Sequence, residues 1–220
     1  MKRDGVSFPS TDGLQLEGEL DHPETAVGVV VICHAHPAMQ GTMKSPLLLA
    51  IAEDCVTRGL GVLRFNFRGV GESGGAGTDG VAEVADAAGA LAFMRATWPD
   101  LPSGLAGWSF GGAVAARAAA RDRALAACAL VAPATRERPG VTAGLPPARE
   151  MGLTAPTLVV CGSNDEVVSP HDCRAWAEGA LRVRYEEIKA ANHFFWAKYE
   201  ALTEIVGTFL QHNMIREEAS

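Results

Sequence analysis

A three-layer α/β/α sandwich built on a mostly parallel, twisted sheet is the fold predicted for this 220-residue chain, and three features predict it. Apolar runs of strand length alternate with helical segments along nearly the whole sequence. One of those runs, residues 27–33, has no polar alternation at all. Ahead of it, two short segments flank a turn signal and read as an antiparallel pair. Alternating strands and helices imply right-handed crossovers and a parallel sheet covered on both faces. A β-branched run without polar positions is how a strand buried on both sides reads.

Taken in order, residues 6–9 and 14–20 are strands joined at Asp12-Gly13, and they form the antiparallel edge. Residues 27–33 are a central strand. Apolar residues at helical spacing over 43–58 predict a helix that stops at Gly59, a natural C-terminal cap. A strand at 61–67 and a glycine-dense loop at 68–80 follow. The helix at 81–98 interleaves carboxylates with alanine and leucine, which places it on the surface, and Pro99 ends it. Strand 105–108, helix 112–120 and strand 125–131 continue the alternation. Prolines, glycines and charges without periodicity make 135–155 a loop with room for one helical turn, too short for a large inserted lid. Strand 157–161, helix 170–181, strand 182–188 and a long amphipathic helix at 195–213 complete the alternation. Repeats and linkers are absent, so residues 1–220 are expected to form a single domain.

A 48% hydrophobic composition supports a generous core. The 19 basic against 26 acidic residues, net −7, argue against nucleic acid or an anionic membrane surface as partner. Met1-Lys2-Arg3-Asp4-Gly5 leads into an alternating segment and not an apolar leader, and no apolar run reaches the roughly 18 residues of a membrane span. A cytoplasmic, soluble monomer or homodimer is expected. Cys33, Cys55, Cys128, Cys161 and Cys173 are odd in number and lack C-x-x-C spacing, so they read as reduced packing thiols.

Chemistry concentrates at three strand ends. Gly107-Trp108-Ser109-Phe110-Gly111 matches G-x-S-x-G where an apolar run meets an alanine-rich one. A serine on a sharp strand-to-helix turn is strained, and only small flanking residues let neighbouring segments come close. Asp165 follows the next-to-last strand, and His193 lies between the last strand and the last helix. Reactive groups collect at the carboxyl ends of strands in an open parallel sheet, and serine, aspartate and histidine arrive there in that order.

With these placements the chain resembles the α/β-hydrolase superfamily over essentially its whole length. His34-Ala35-His36-Pro37 with Gly41-Thr42-Met43, then Phe65-Asn66-Phe67-Arg68-Gly69-Val70-Gly71-Glu72-Ser73, and the pentapeptide around Ser109 resemble a bacterial group of small, lidless, dienelactone-hydrolase-like predicted serine hydrolases. The resemblance implies a serine hydrolase with Ser109 as nucleophile, His193 as base and Asp165 as the acid. One departure is that the usual His-Gly after the third strand is His34-Ala35 here.

The chemistry also follows from the residue types. A serine hydroxyl is a weak nucleophile near neutral pH, so His193 must take its proton and return it to the leaving group, with Asp165 orienting the imidazole. Glu166 is the neighbouring alternative for the acid. The N–H of Phe110 would hold the oxyanion together with that of His36 or Ala35. Trp108, Phe194 and His34 are candidates for the substrate pocket. A zinc site at His34 and His36 would need a third protein ligand that no accompanying motif supplies, so neither metal nor cofactor is expected. Gly69-Val70-Gly71-Glu72-Ser73-Gly74 fits the dinucleotide fingerprint in spacing only; it does not open a helix, and reads as a flexible loop beside the site. The expected activity is carboxylesterase-like: cleavage of a small acyl substrate through an acyl-enzyme. Thioesterase, dienelactone or lactone hydrolase and peptidase are the enzymatic alternatives, and a catalytically silent ligand-binding or interaction protein is the alternative of another class.

Overall fold

Ten strands and five helices make up the computed structural model, which describes residues 2–215. In chain order they are β1 (Lys2–Pro9), β2 (Gln15–His22), β3 (Gly28–Cys33), α1 (Pro46–Thr57), β4 (Leu60–Phe65), α2 (Glu83–Thr97), β5 (Ser103–Trp108), α3 (Phe110–Arg121) and β6 (Ala127–Val131). Next come β7 (Glu137–Arg138), β8 (Thr142–Ala143), β9 (Thr157–Gly162), α4 (Pro170–Ala177), β10 (Val183–Ile188) and α5 (Tyr199–Met214). Eight of the strands form one sheet in the order β1-β2-β4-β3-β5-β6-β9-β10. The pairings β1–β2 and β2–β4 are antiparallel, and all others in that sheet are parallel. The expected antiparallel edge is therefore present. Among the described residues no helix is long and apolar enough to cross a membrane.

The connections decide where a site can open. From β3 the chain crosses through α1 to β4 on one side; from β5 it crosses through α3 to β6 on the other. Right-handed crossovers running in opposite directions put α1 and α3 on opposite faces of the sheet. Accordingly α1 packs against α5, and α2 against α3. The chains leaving the carboxyl ends of β3 and β5 diverge, and the crevice between them is the switch point where open α/β sheets bind ligands.

Several expectations are corrected. Helix α2 is no plain surface helix, because two of its carboxylates, Glu83 and Asp86, are buried. Glu83 accepts hydrogen bonds from the amides of Thr78 and Gly80 and from the Thr78 hydroxyl; Asp86 accepts from the Arg68 amide and guanidinium. Burial pushes the Asp86 carboxyl up, and the Arg68 contacts oppose that shift. The glycine-rich loop after β4 is tied down: Gly74 N–H donates to Gln15 O, and the Ser73 hydroxyl donates to Asn66 O. Region 135–155 contains the β7–β8 hairpin, turning at Gly140 with φ +73°, and a short 3₁₀ turn at Ala148–Glu150. Helix α5 starts at Tyr199 and not near 195, because Phe195 and Ala197 hold φ of +53° and +59°, outside helical geometry.

Loop 34–45, between β3 and α1, is pinned by residues at and just beyond the end of β4. Arg64, fully buried, donates to the Met43 carbonyl at 2.7 Å while its guanidinium pairs with Asp21 at 2.6 Å and Glu19 at 2.8 Å. Asn66 accepts from Met43 N–H at 2.9 Å. The Phe67 amide donates to His34 Nε2 at 3.1 Å, so Nδ1 carries the ring proton and donates to Ala35 O at 2.6 Å. Burial pushes the His34 imidazole down to about 4.

Removing the carboxylate in Asp21→Ala leaves the Arg64 guanidinium buried and undercompensated, and should cost about 3–5 kcal/mol in denaturant unfolding; a loss below about 1 kcal/mol contradicts this role. Native His34 is neutral while the unfolded chain protonates near 6.5, so its contribution is complete above that pH and is lost as pH falls toward 4. At about 1.4 kcal/mol per unit the loss is on the order of 3 kcal/mol. Unfolding free energy followed from pH 7 to pH 4 should fall less in His34→Gln than in the parent chain; equal slopes would remove His34 as the source.

Candidate active site

Ser109 is held in a backbone conformation that non-glycine residues rarely adopt, φ +56° and ψ −114°, between β5 and α3. Its amide donates to Val131 O at 2.8 Å, and its carbonyl accepts from Ala113 and Ala134 at 3.1 and 3.0 Å, so neighbours on both sides maintain the strain. Glycine is required around it. A Cβ on Gly107 would stand 2.2 Å from Gly111 O, and one on Gly111 would stand 2.3 Å from His34 O and 2.4 Å from Cys33 O. The Ser109 side chain does not cap α3, and among the described residues its hydroxyl makes no hydrogen bond.

Asp165 and His193 meet after β9 and β10. His193 Nδ1 lies 2.8 Å from Asp165 Oδ2, and both side chains are almost completely buried. Asp165 Oδ1 accepts from the amides of Val167 and Val168 at 2.8 and 2.7 Å, which sets the carboxylate plane. With Nδ1–H donating to the carboxylate, Nε2 is left with a free lone pair. Glu166, the neighbouring alternative, is exposed and does not take this position. The Trp108 indole N–H donates to His193 O at 3.2 Å, so the residue preceding the serine anchors the histidine loop.

A cavity of about 300 Å³ is lined by Ser109, Phe110, His36 and Asp165. Its far wall is residues 134–138 with Val141 and Thr142, and residues 166–169, with Asp172 beside Arg136. Arg136 makes an ion pair with Asp172, and Arg138 donates to Val167 O, which joins the hairpin to the loop carrying Asp165. Sequence reasoning missed this wall, although Pro139-Gly140 is a turn signal between charged residues.

The pocket candidates need correction. His34 is fully buried with both ring nitrogens bound to backbone groups, so it neither lines the cavity nor offers a metal ligand. Trp108 and Phe194 brace His193 at ring-centroid distances of 5.6 and 5.5 Å, away from that wall. Phe194 stacks on Trp196 at 5.0 Å, and Trp196 is exposed. Among the described residues, no protein acceptor takes the N–H of Phe110, His36 or Ala35. Of the latter two, His36 lines the cavity and Ala35 is buried behind it. All five cysteines are buried thiols.

Solved structures share this fold. Residues 24–151 match the family described as serine aminopeptidase, S33. An uncharacterized protein of Rickettsia prowazekii is 28% identical over 209 residues, covering 87% of this chain and 85% of its own. The structure of an alpha-beta serine hydrolase homologue from Coxiella burnetii aligns with TM-score 0.82 and 29% identity over 94% of this chain and 97% of that one. An α/β serine hydrolase without lid from Xanthomonas campestris aligns with TM-score 0.83 at 24% identity, over 99% and 97% of the two chains. A serine at a strained strand-to-helix turn, on an eight-stranded sheet whose connections run in opposite directions beside it, agrees with the family match: this chain belongs to the serine aminopeptidase S33 family of α/β-hydrolases.

Proposed function

We propose that the chain hydrolyses a carboxylic ester of small acyl size through an acyl-enzyme on Ser109. The observation that carries this reading is the strained serine with an uncommitted hydroxyl, on one cavity with the carboxylate that orients His193. Ser109 Oγ attacks the carbonyl carbon as its proton passes to His193 Nε2, and the carbonyl π electrons move onto oxygen. The amides of Phe110 and His36 stabilise that oxyanion, reinforced by the positive end of α3. Collapse restores the carbonyl, breaks the bond to the leaving oxygen and returns the proton from His193 to it. Water repeats the sequence on the acyl-enzyme and frees the acid.

Asp165 would keep Nδ1 protonated and stabilise the imidazolium that forms. A cavity of about 300 Å³ accommodates a short acyl group better than a long lipid chain. Half-buried Phe194, with exposed Trp196 stacked on it, lies on the histidine side, where the leaving group receives its proton.

Hydrolysis of p-nitrophenyl esters of two to eight acyl carbons, an acyl-CoA, a lactone and an aminoacyl p-nitroanilide should show highest kcat/KM on short esters. Preference for the anilide would shift the reading to a peptidase, and preference for acyl-CoA to a thioesterase. Asp165→Asn should lower kcat by on the order of 10⁴ with the fold intact, because asparagine favours the wrong imidazole tautomer. Near-normal turnover in that variant would transfer the acid role elsewhere.

A further inference from the structure

We propose that His34, which touches no substrate, is a positioning residue that sets the direction of the second oxyanion donor by holding the Ala35–His36 peptide plane. This rests on the hydrolase reading above and names what makes its oxyanion hole.

A trans peptide is planar, with its C=O and N–H pointing opposite ways. The carbonyl of Ala35 and the amide of His36 belong to one such plane. Fixing the first therefore fixes the second. Ala35 O is fixed twice. The His34 ring donates to it at 2.6 Å, and Gly41 lies so close that a Cβ there would come within 1.9 Å of that oxygen. The ring itself is not free to turn, since its Nε2 accepts from Phe67 N–H and it packs edge-to-face with the Phe67 ring at 4.7 Å between centroids. Loop closure comes from Gly41 N–H, which donates to His36 O at 3.1 Å, and from the hold of Arg64 and Asn66 on Met43.

With the Ala35 carbonyl directed into the protein, the His36 amide is directed the other way. Among the described residues no protein group accepts from it, while His36 lines the cavity that Ser109 and Phe110 share. An unbonded N–H in a half-buried loop calls for an acceptor, and the oxygen of a tetrahedral intermediate is the acceptor that the chemistry supplies. The arrangement also explains how a chain with alanine after His34 forms the hole: the orienting contact comes from the imidazole.

Variants of the His34 ring separate its two bonds. The amide nitrogen of His34→Asn falls near Nδ1 and can still hold Ala35 O, whereas His34→Gln reaches only the Phe67 end. On a short p-nitrophenyl ester, His34→Gln and His34→Ala should lose about 10²–10³ in kcat, the typical effect of one oxyanion donor. KM should stay within about threefold, and His34→Asn should recover to within about tenfold of the parent kcat. A role confined to stability would instead make the three variants track their melting temperatures. Affinity for a boronic acid, which forms a tetrahedral adduct on serine, should fall with kcat.

Gly41→Ala provides a second route should the ring variants fail to fold: its methyl group pushes on Ala35 O, and the same kcat loss is expected with His34 intact. Folded His34→Gln and Gly41→Ala proteins with parental kcat would overturn the proposal, as would crystal structures showing the 35–36 peptide unrotated in the slow variants. A parent protein that turns over no ester and is not phosphonylated at Ser109 would instead defeat the hydrolase reading itself.

Discussion

The approach of the first turn of α3 to the carbonyl end of β3 is the constraint on which the rest of the site depends. Gly111 stands where any side-chain carbon would strike Cys33 O and His34 O, and Gly107 stands where one would strike Gly111 O. That closeness brings the Phe110 amide and the loop after β3 to one crevice, at the point where the sheet's connections diverge. It also forces the chain at Ser109 into φ +56°. Strain of this kind costs on the order of 1–3 kcal/mol and persists only where surrounding bonds over-determine it. Here they come from β6 and the segment just after it, through Val131 O and Ala134 N.

Two arginines then stabilise the loops that this geometry leaves irregular. Arg64, on β4, faces inward and spans Asp21, Glu19 and the Met43 carbonyl, so the antiparallel edge supports the loop after β3. Arg68, three residues beyond β4, reaches Asp86 on α2 and Asp12 in the first turn, closing the glycine-rich segment against both. Each guanidinium fork satisfies several acceptors at once, a task that a lysine point charge performs poorly. On the opposite side of the cavity, the β7–β8 hairpin is joined to the Asp165 loop through Arg138 and to α4 through the Arg136–Asp172 pair. The walls of the site are thus held by charge and backbone bonds, while its floor is held by apolar strands.

What the sequence made legible was what periodicity and local steric rules control. The continuous apolar runs at 27–33 and 157–161 read directly as buried strands, and G-x-S-x-G announced a turn that glycine alone permits. Asp165 and His193 stand out because they follow strands, and the fold brings such positions together at one end of the sheet. Buried charge was not legible: Glu83 and Asp86 look like the polar face of a surface helix until the preceding segment folds back so that Thr78 and Gly80 donate to Glu83 and Arg68 reaches Asp86. Nor could His34 be separated from a pocket residue, since its role depends on the Phe67 amide, 33 positions away. The hairpin strands were too short to show a period of two.

The most direct measurement is covalent labelling with a fluorophosphonate, followed by peptide mass spectrometry to locate the adduct. The nucleophile assignment predicts stoichiometric modification of Ser109 in the native protein and none in Ser109→Ala or after unfolding. An unmodified Ser109 beside a labelled control hydrolase, or an adduct on another residue, would contradict it.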